Sequence, residues 1–236
     1  MHPVVAVVLS YVSGSIPAAY LAGKWSGVDL RAHGSGNLGA TNVLRVLGAK
    51  IGILVFAVDI AKGAIPVRLL PPLTSTTGTT QVWIAVACGI AAILGHIRPV
   101  FLGFGKGGKG VATACGVFLA LAPLQTLITL LIFAVVVFSS GYVSLASLTA
   151  AFSLPILLAA SLGVRSPLFY VALVTTVFVF WTHRANIQRL RAGTEYRFSR
   201  AANFGRRPSL ALGLGLLILA AAFLAARAGV SAGGAG

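Results

Sequence analysis

The sequence predicts an all-α integral membrane protein: a polytopic helical bundle of seven core transmembrane helices, with an additional C-terminal one. Three observations carry that prediction. Hydrophobic residues make up 58% of the 236-residue chain and charged residues only 9%, whereas soluble domains carry about 25% charged residues. Several apolar runs approach or reach the roughly 20 residues needed to cross a bilayer. The breaks between them are short and basic, and the formal charge is +15. In a soluble chain that charge would suggest nucleic acid. Here it falls in loops between apolar segments, where topology and anionic headgroups account for it, so no nucleic-acid partner is expected.

The elements follow in order. The first run, 3–23, has neither a basic leader nor a small-residue cleavage site, and reads as a retained span rather than a signal peptide. Further runs cover 51–71 and 82–97, then 142–163, 166–183 and 208–227. Residues 111–140 form a longer run interrupted by Pro123-Leu124-Gln125, which is either one kinked helix or two short ones. Read as two, it places the breaks 24–50, 98–110, 139–143 and 184–207 on one side. Fourteen of the eighteen Lys and Arg then share that side. Read as one, it moves the seven arginines from Arg184 to Arg207 to the opposite face. Short basic loops stay cytoplasmic, so two spans are expected, with the N-terminus outside. Each piece is about 15 residues, or ~22 Å at 1.5 Å per residue, against a hydrocarbon core of ~30 Å. Residues 1–207 thus form the seven-span domain, 208–227 an additional span, and 228–236 a disordered tail of small residues. Cys88 and Cys115 lie in apolar runs and read as small core residues.

Two cytoplasmic breaks carry the same G-x-G-x-x-G spacing. Gly34-Ser35-Gly36-Asn37-Leu38-Gly39 and Gly105-Lys106-Gly107-Gly108-Lys109-Gly110 each run into a segment able to form a helix. Glycine allows backbone N–H groups to line a concave anion site, and a helix N-terminus adds partial positive charge. In the second loop Lys106 and Lys109 add full charges. It fails as a nucleotide P-loop, because Gly110 stands where a magnesium-binding Ser or Thr belongs and no strand precedes it. In the first loop Ser35, Asn37, Thr41 and Asn42 offer neutral donors and acceptors, and Arg45 can clamp a phosphate. Alone, that loop reads equally well as a turn capping the next helix.

His183-Arg184-Ala185-Asn186 ends the seventh span, with His183 and Asn186 spaced to share a helix face. Ser144 and Ser147 begin the sixth span on the same side. Asp29, Asp59 and Glu195 are the only carboxylates. Their separation argues against two-metal chemistry and against a carboxylate pair, so neither metal nor cofactor is expected. Asp59 and Lys62, three apart in the second span, should neutralise each other. A transporter or exchanger of a phosphorylated metabolite would use similar cationic loops, but calls for inverted repeats, which the sequence does not show convincingly, and for polar midplane residues, of which it offers little beyond Asp59 and Lys62.

These motifs together resemble the bacterial acyl-phosphate:glycerol-3-phosphate acyltransferase family. The matching stretches are G-S-G-N-L-G-A-T-N at 34–42, K-G-G-K-G-V-A-T at 106–113, and H-x-x-N-I-x-R-L-x-x-G-x-E from His183 to Glu195. Asp59-x-x-Lys62-Gly63 and the serines at 144 and 147 also fit, while 208–227 extends past the usual seven-span core. The resemblance implies transfer of a fatty acyl group from acyl phosphate to the first hydroxyl of glycerol 3-phosphate, at the cytoplasmic face of the bacterial inner membrane. The expected catalytic residues are Ser35, Asn37, Lys106, His183 and Asn186. Gly36, Gly39, Arg45, Gly105, Gly107, Gly108, Lys109, Gly110 and Ser144 are expected to bind substrate. The two loops are expected to close over one reaction centre, with either His183 or a substrate phosphate as base.

Overall fold

The computed structural model describes residues 1–198 together with Gly215, Ile218 and Leu219. The expected segment 208–227 otherwise lies outside the described residues, as does the tail 228–236. All regular elements among the described residues are helical. They fall into two compact units, Met1–Pro123 and Leu124–Gly236. The boundary coincides with Pro123, the residue on which the two-span expectation turned.

The first unit contains α1 (Pro3–Gly14), α2 (Ala18–Trp25), α3 (Ala40–Leu47), α4 (Ala49–Leu69), α5 (Gly78–Ile97) and α6 (Val111–Leu121). The first span is therefore not one regular helix over 3–23. Pro17 lacks the N–H that would continue the ladder, and α1 gives way to α2 there. Helix α4 packs on α1, α3, α5 and α6, and α1 packs on α5.

Burying apolar surface drives helix association little where the solvent is itself lipid, so close backbone approach becomes important. Glycines provide it here. A Cβ on Gly63 would come within 2.3 Å of the Thr113 carbonyl oxygen, and one on Gly116 within 2.0 Å of the Ile60 carbonyl oxygen, so α4 and α6 touch backbone to backbone. Gly14 against Ala92 and Gly95 against Tyr11 do the same for α1 and α5.

The second unit contains α7 (Pro123–Ser140, its first residue at the boundary), α8 (Val143–Leu162), α9 (Pro167–Thr182) and α10 (Arg184–Arg191). Ile132 and Val136 of α7 pack against Ala146 and Leu157 of α8, and α8 packs on α9. Helices α9 and α10 meet at a 59° bend centred on His183. The interrupted run thus forms two helices, but unequal ones: 11 residues in α6 and 18 in α7.

Helices stand at all seven expected core positions. Four segments among the described residues are long and apolar enough to cross a membrane unaided, or five if α9 and α10 count as one span. Helix α6 is short, and α4 carries Lys50, Asp59, Lys62 and Arg68. The protein is a multi-pass membrane protein. Large apolar side chains such as Leu54, Phe138, Val174 and Val177 are exposed, as expected of surfaces facing acyl chains. Trp181, with the Arg184 guanidinium 5.0 Å from its ring centroid, has the chemistry of an interfacial anchor.

Candidate active site

The first glycine loop closes on itself through a side chain. Asn42, in the first turn of α3 and 1% exposed, accepts the Ser35 N–H at 2.8 Å through Oδ1. Its Nδ2 donates to the Leu30 and His33 carbonyls at 3.1 and 3.0 Å. Gly36 has φ +66°, a conformation that side chains resist. Asp29 braces the approach to the loop. The Arg31 backbone N–H and then its guanidinium hold the Asp29 carboxyl below its usual range. Ser35 and Asn37 lie on the turn so formed, Gly39 directly precedes α3, and Arg45 sits in the last turn of α3.

The second loop is seated rather than merely flexible. The Gly107 N–H donates to the Ile97 carbonyl at 2.9 Å and the Gly108 N–H to the His96 carbonyl at 3.2 Å. Gly107 and Gly108 are needed for space, not for torsional freedom. A Cβ on Gly107 would lie 2.1 Å from the His96 carbonyl oxygen, and one on Gly108 only 2.1 Å from His96 Nε2. The latter would also lie 2.8 Å from the carbonyl oxygen of Leu38, a residue of the first loop. The two glycine loops therefore touch at Leu38 and Gly108.

Gly110, at φ +80°, turns the chain into α6, and no side chain caps that helix. Its first turn carries the positive end of the helix dipole, the polarity that suits an anion. Lys106 is exposed, Lys109 half-buried and Gly105 partly exposed along the same loop.

The third motif builds a cluster within the second unit. His183 is 4% exposed and Asn186 8%. His183 Nδ1 lies 2.8 Å from the Val179 carbonyl oxygen and donates a hydrogen bond to it, so that in the neutral ring Nε2 is the acceptor nitrogen. A carbonyl one turn back thus orients the imidazole, and no carboxylate is needed for it. His183 stands at the α9–α10 bend, at the end of the seventh run as expected, and Asn186 lies in the first turn of α10.

Glu195 is the residue whose role sequence reasoning missed. Its Oε1 accepts from Asn186 Nδ2 at 2.7 Å and its Oε2 from Arg189 Nε at 2.7 Å. Burial raises its pKa, but the hydrogen bonds from Asn186 and Arg189, with a further pull from Ser144, hold the carboxyl below its usual range. The Ser144 hydroxyl is buried and forms no full hydrogen bond among the described residues. The Arg197 guanidinium donates to the Ser140 carbonyl at 3.1 Å and the Phe198 N–H to the Gly141 carbonyl at 2.8 Å. Those bonds return the chain to the α7–α8 corner and bring Glu195 to Ser144. The available signal was chemical: Glu195 is one of only three carboxylates in the chain, nine residues beyond a buried amide.

The chain matches the family model described as "Glycerol-3-phosphate acyltransferase" over residues 4–193. It belongs to the glycerol-3-phosphate acyltransferase family. A family member from Geobacter metallireducens is 56% identical over 189 residues, covering 80% of this chain and 94% of its own. Another from Geobacter sulfurreducens is 47% identical over 199 residues, covering 84% of this chain and 98% of its own. A solved structure of PlsY, described as an integral membrane glycerol 3-phosphate acyltransferase in its glycerol 3-phosphate form, superposes with a TM-score of 0.75 at 42% identity. That match covers 83% of this chain and 95% of PlsY. The family's relatives are acyltransferases by name, which leaves the exchanger alternative without support.

Proposed function

We propose that this protein transfers a fatty acyl group from acyl phosphate to the first hydroxyl of glycerol 3-phosphate, yielding lysophosphatidate and inorganic phosphate. The observation that carries the reading is the contact between the two glycine loops, which joins a cationic loop and an uncapped helix N-terminus to a second turn bearing Ser35, Asn37 and Arg45. Such a surface suits phosphate-bearing reactants.

In the reaction the substrate hydroxyl oxygen attacks the acyl carbon and the bond from that carbon to the phosphate oxygen breaks. The hydroxyl proton goes to the departing phosphate, directly or through His183 Nε2. The leaving group is already good, so positioning and charge stabilisation account for most of the rate enhancement. Lys106, Lys109 and the amides of Gly105, Gly107, Gly108 and Gly110 hold phosphate. Ser35, Gly36, Asn37, Gly39 and Arg45 complete the anion-binding surface. Ser144, His183 and Asn186 orient glycerol 3-phosphate, with Asn186 kept in place by Glu195.

These donors are cations, amides and hydroxyls, a set suited to phosphate without a metal. The same reading takes the seven core helices as spans, places the N-terminus outside and directs the loops to the cytoplasm of a bacterial inner membrane.

Purified protein supplied with acyl phosphate and glycerol 3-phosphate, with chelator present, should release phosphate and form lysophosphatidate in equal amounts. Product formed from an acyl thioester and not from acyl phosphate would overturn the donor assignment. Loss of activity with chelator, restored by a divalent cation, would overturn metal independence.

A further inference from the structure

A buried charged cluster in the first unit takes no part in the chemistry above. Asp59 and Lys62 on α4 and His96 in the last turn of α5 are 2%, 5% and 6% exposed. Lys62 Nζ lies 2.8 Å from Asp59 Oδ1 and donates to the Ile16 carbonyl at 2.8 Å, beside the break between α1 and α2. His96 Nδ1 stands 3.5 Å from the same carboxylate oxygen, close to it but without a hydrogen bond among the described residues. The far edge of the ring, Nε2, is the atom that a Cβ on Gly108 would strike, and the His96 carbonyl accepts the Gly108 N–H. A cavity of about 10 Å³ is lined by all three side chains together with Leu38, Gly107 and Gly108.

Charged groups inside a membrane helix are costly, and apolar residues would close this position at lower cost. The cluster instead ends against the loop. We propose that His96 is a positioning residue for the second glycine loop. Asp59, which Lys62 ties to the α1–α2 break, bounds the near edge of its ring on α4. The far edge and the backbone carbonyl then set where Gly107 and Gly108 lie, and hence where Gly108 meets Leu38. The inference rests on reading that loop as a phosphate cradle.

Three substitutions separate positioning from general support. His96→Gln keeps a polar end near the Nε2 position against Gly108. His96→Asn keeps one only near Nδ1, toward Asp59. His96→Ala keeps neither. A displacement of the cradle by about 1 Å corresponds to an effect of up to roughly 100-fold. His96→Ala and His96→Asn are therefore expected to raise the KM for one phosphate-bearing substrate by about tenfold or more, with kcat much less affected. His96→Gln should stay near wild type. Inorganic phosphate should raise the Tm of wild type and His96→Gln, and do so weakly for the other two.

Equal losses in all three variants that track Tm would overturn the proposal. So would His96→Ala with both KM values and the phosphate shift unchanged. Should His96→Ala fail to fold, the Gln and Asn variants decide the question by themselves. A wild type that neither turns over acyl phosphate nor gains Tm with phosphate removes the cradle reading, and the positioning role with it. A competent wild type beside an unaffected His96→Ala removes the positioning role alone.

Discussion

Replacing Glu195 with alanine removes the acceptor for two charge-assisted hydrogen bonds, and the structure weights them differently. Asn186 is 8% exposed and donates at 2.7 Å. Leaving its buried N–H without an acceptor costs about 1–3 kcal/mol. The Arg189 side chain is 42% exposed, so water replaces the lost carboxylate and its share is at most about 1 kcal/mol. The expected destabilisation is about 1–4 kcal/mol. At about 2–4 °C per kcal/mol for a chain of this size, that lowers Tm by roughly 2–16 °C.

The release of Asn186 should also lower phosphate release from acyl phosphate by more than the stability loss explains. Thermal unfolding in detergent and initial rates at a temperature where both proteins are folded measure the two effects. The pH dependence has a definite sign. The folded carboxyl titrates below its usual 4.5, so its stabilisation is complete at neutral pH and is lost as the pH falls through the folded pKa. The Tm gap between wild type and Glu195→Ala should therefore hold at neutral pH and narrow in acid. A variant with Tm within about 1 °C of wild type and unchanged kinetics would refute the clamp.

Other perturbations test neighbouring claims. Gly63→Ala places a Cβ 2.3 Å from the Thr113 carbonyl oxygen, and overpacking of this kind should cost about 1–3 kcal/mol, read as a lower Tm. A Tm equal to wild type would show that α4 and α6 separate freely. Lys62→Met strands the buried Asp59 carboxylate and should cost about 3–5 kcal/mol. Adding Asp59→Leu should recover much of that loss, as the double-mutant Tm will show. His183→Gln keeps a polar end near Nε2 without a base. Turnover near wild type would assign the proton to substrate phosphate, and a loss of roughly 100-fold or more would assign it to His183.

Much of the helical framework is readable without coordinates, because lipid imposes length and polarity on each run directly. The division at Pro123 follows from charge distribution, and the Asp59–Lys62 pair from helical spacing alone. The break at Pro17 was equally present in the sequence, but the flanking apolar residues masked it within a run of span length. The candidate site divides differently. Ser35, Asn37, Lys106 and His183 announce themselves by type and spacing. Asn42 and Glu195 fall within the same motifs and His96 outside them, but the partners of all three are ones that ordinary local spacing rules do not supply.

The sequence by itself determined that this is a membrane protein, roughly where its helices run, and that its polar chemistry gathers in two glycine loops and one His–Asn motif. Only the tertiary structure decided what the glycines are for. Gly36 and Gly110 serve torsion, whereas Gly107 and Gly108 serve contact with His96 and, at Gly108, with Leu38. It also decided that a backbone carbonyl orients His183 and that Glu195 holds Asn186. The physical reason is range. Hydropathy and helical periodicity are local properties of the chain. The contact of Gly108 with Leu38, the bond from Lys62 to Ile16 and the return of Arg197 to Ser140 join residues far apart in sequence, and they exist only once the helices have packed.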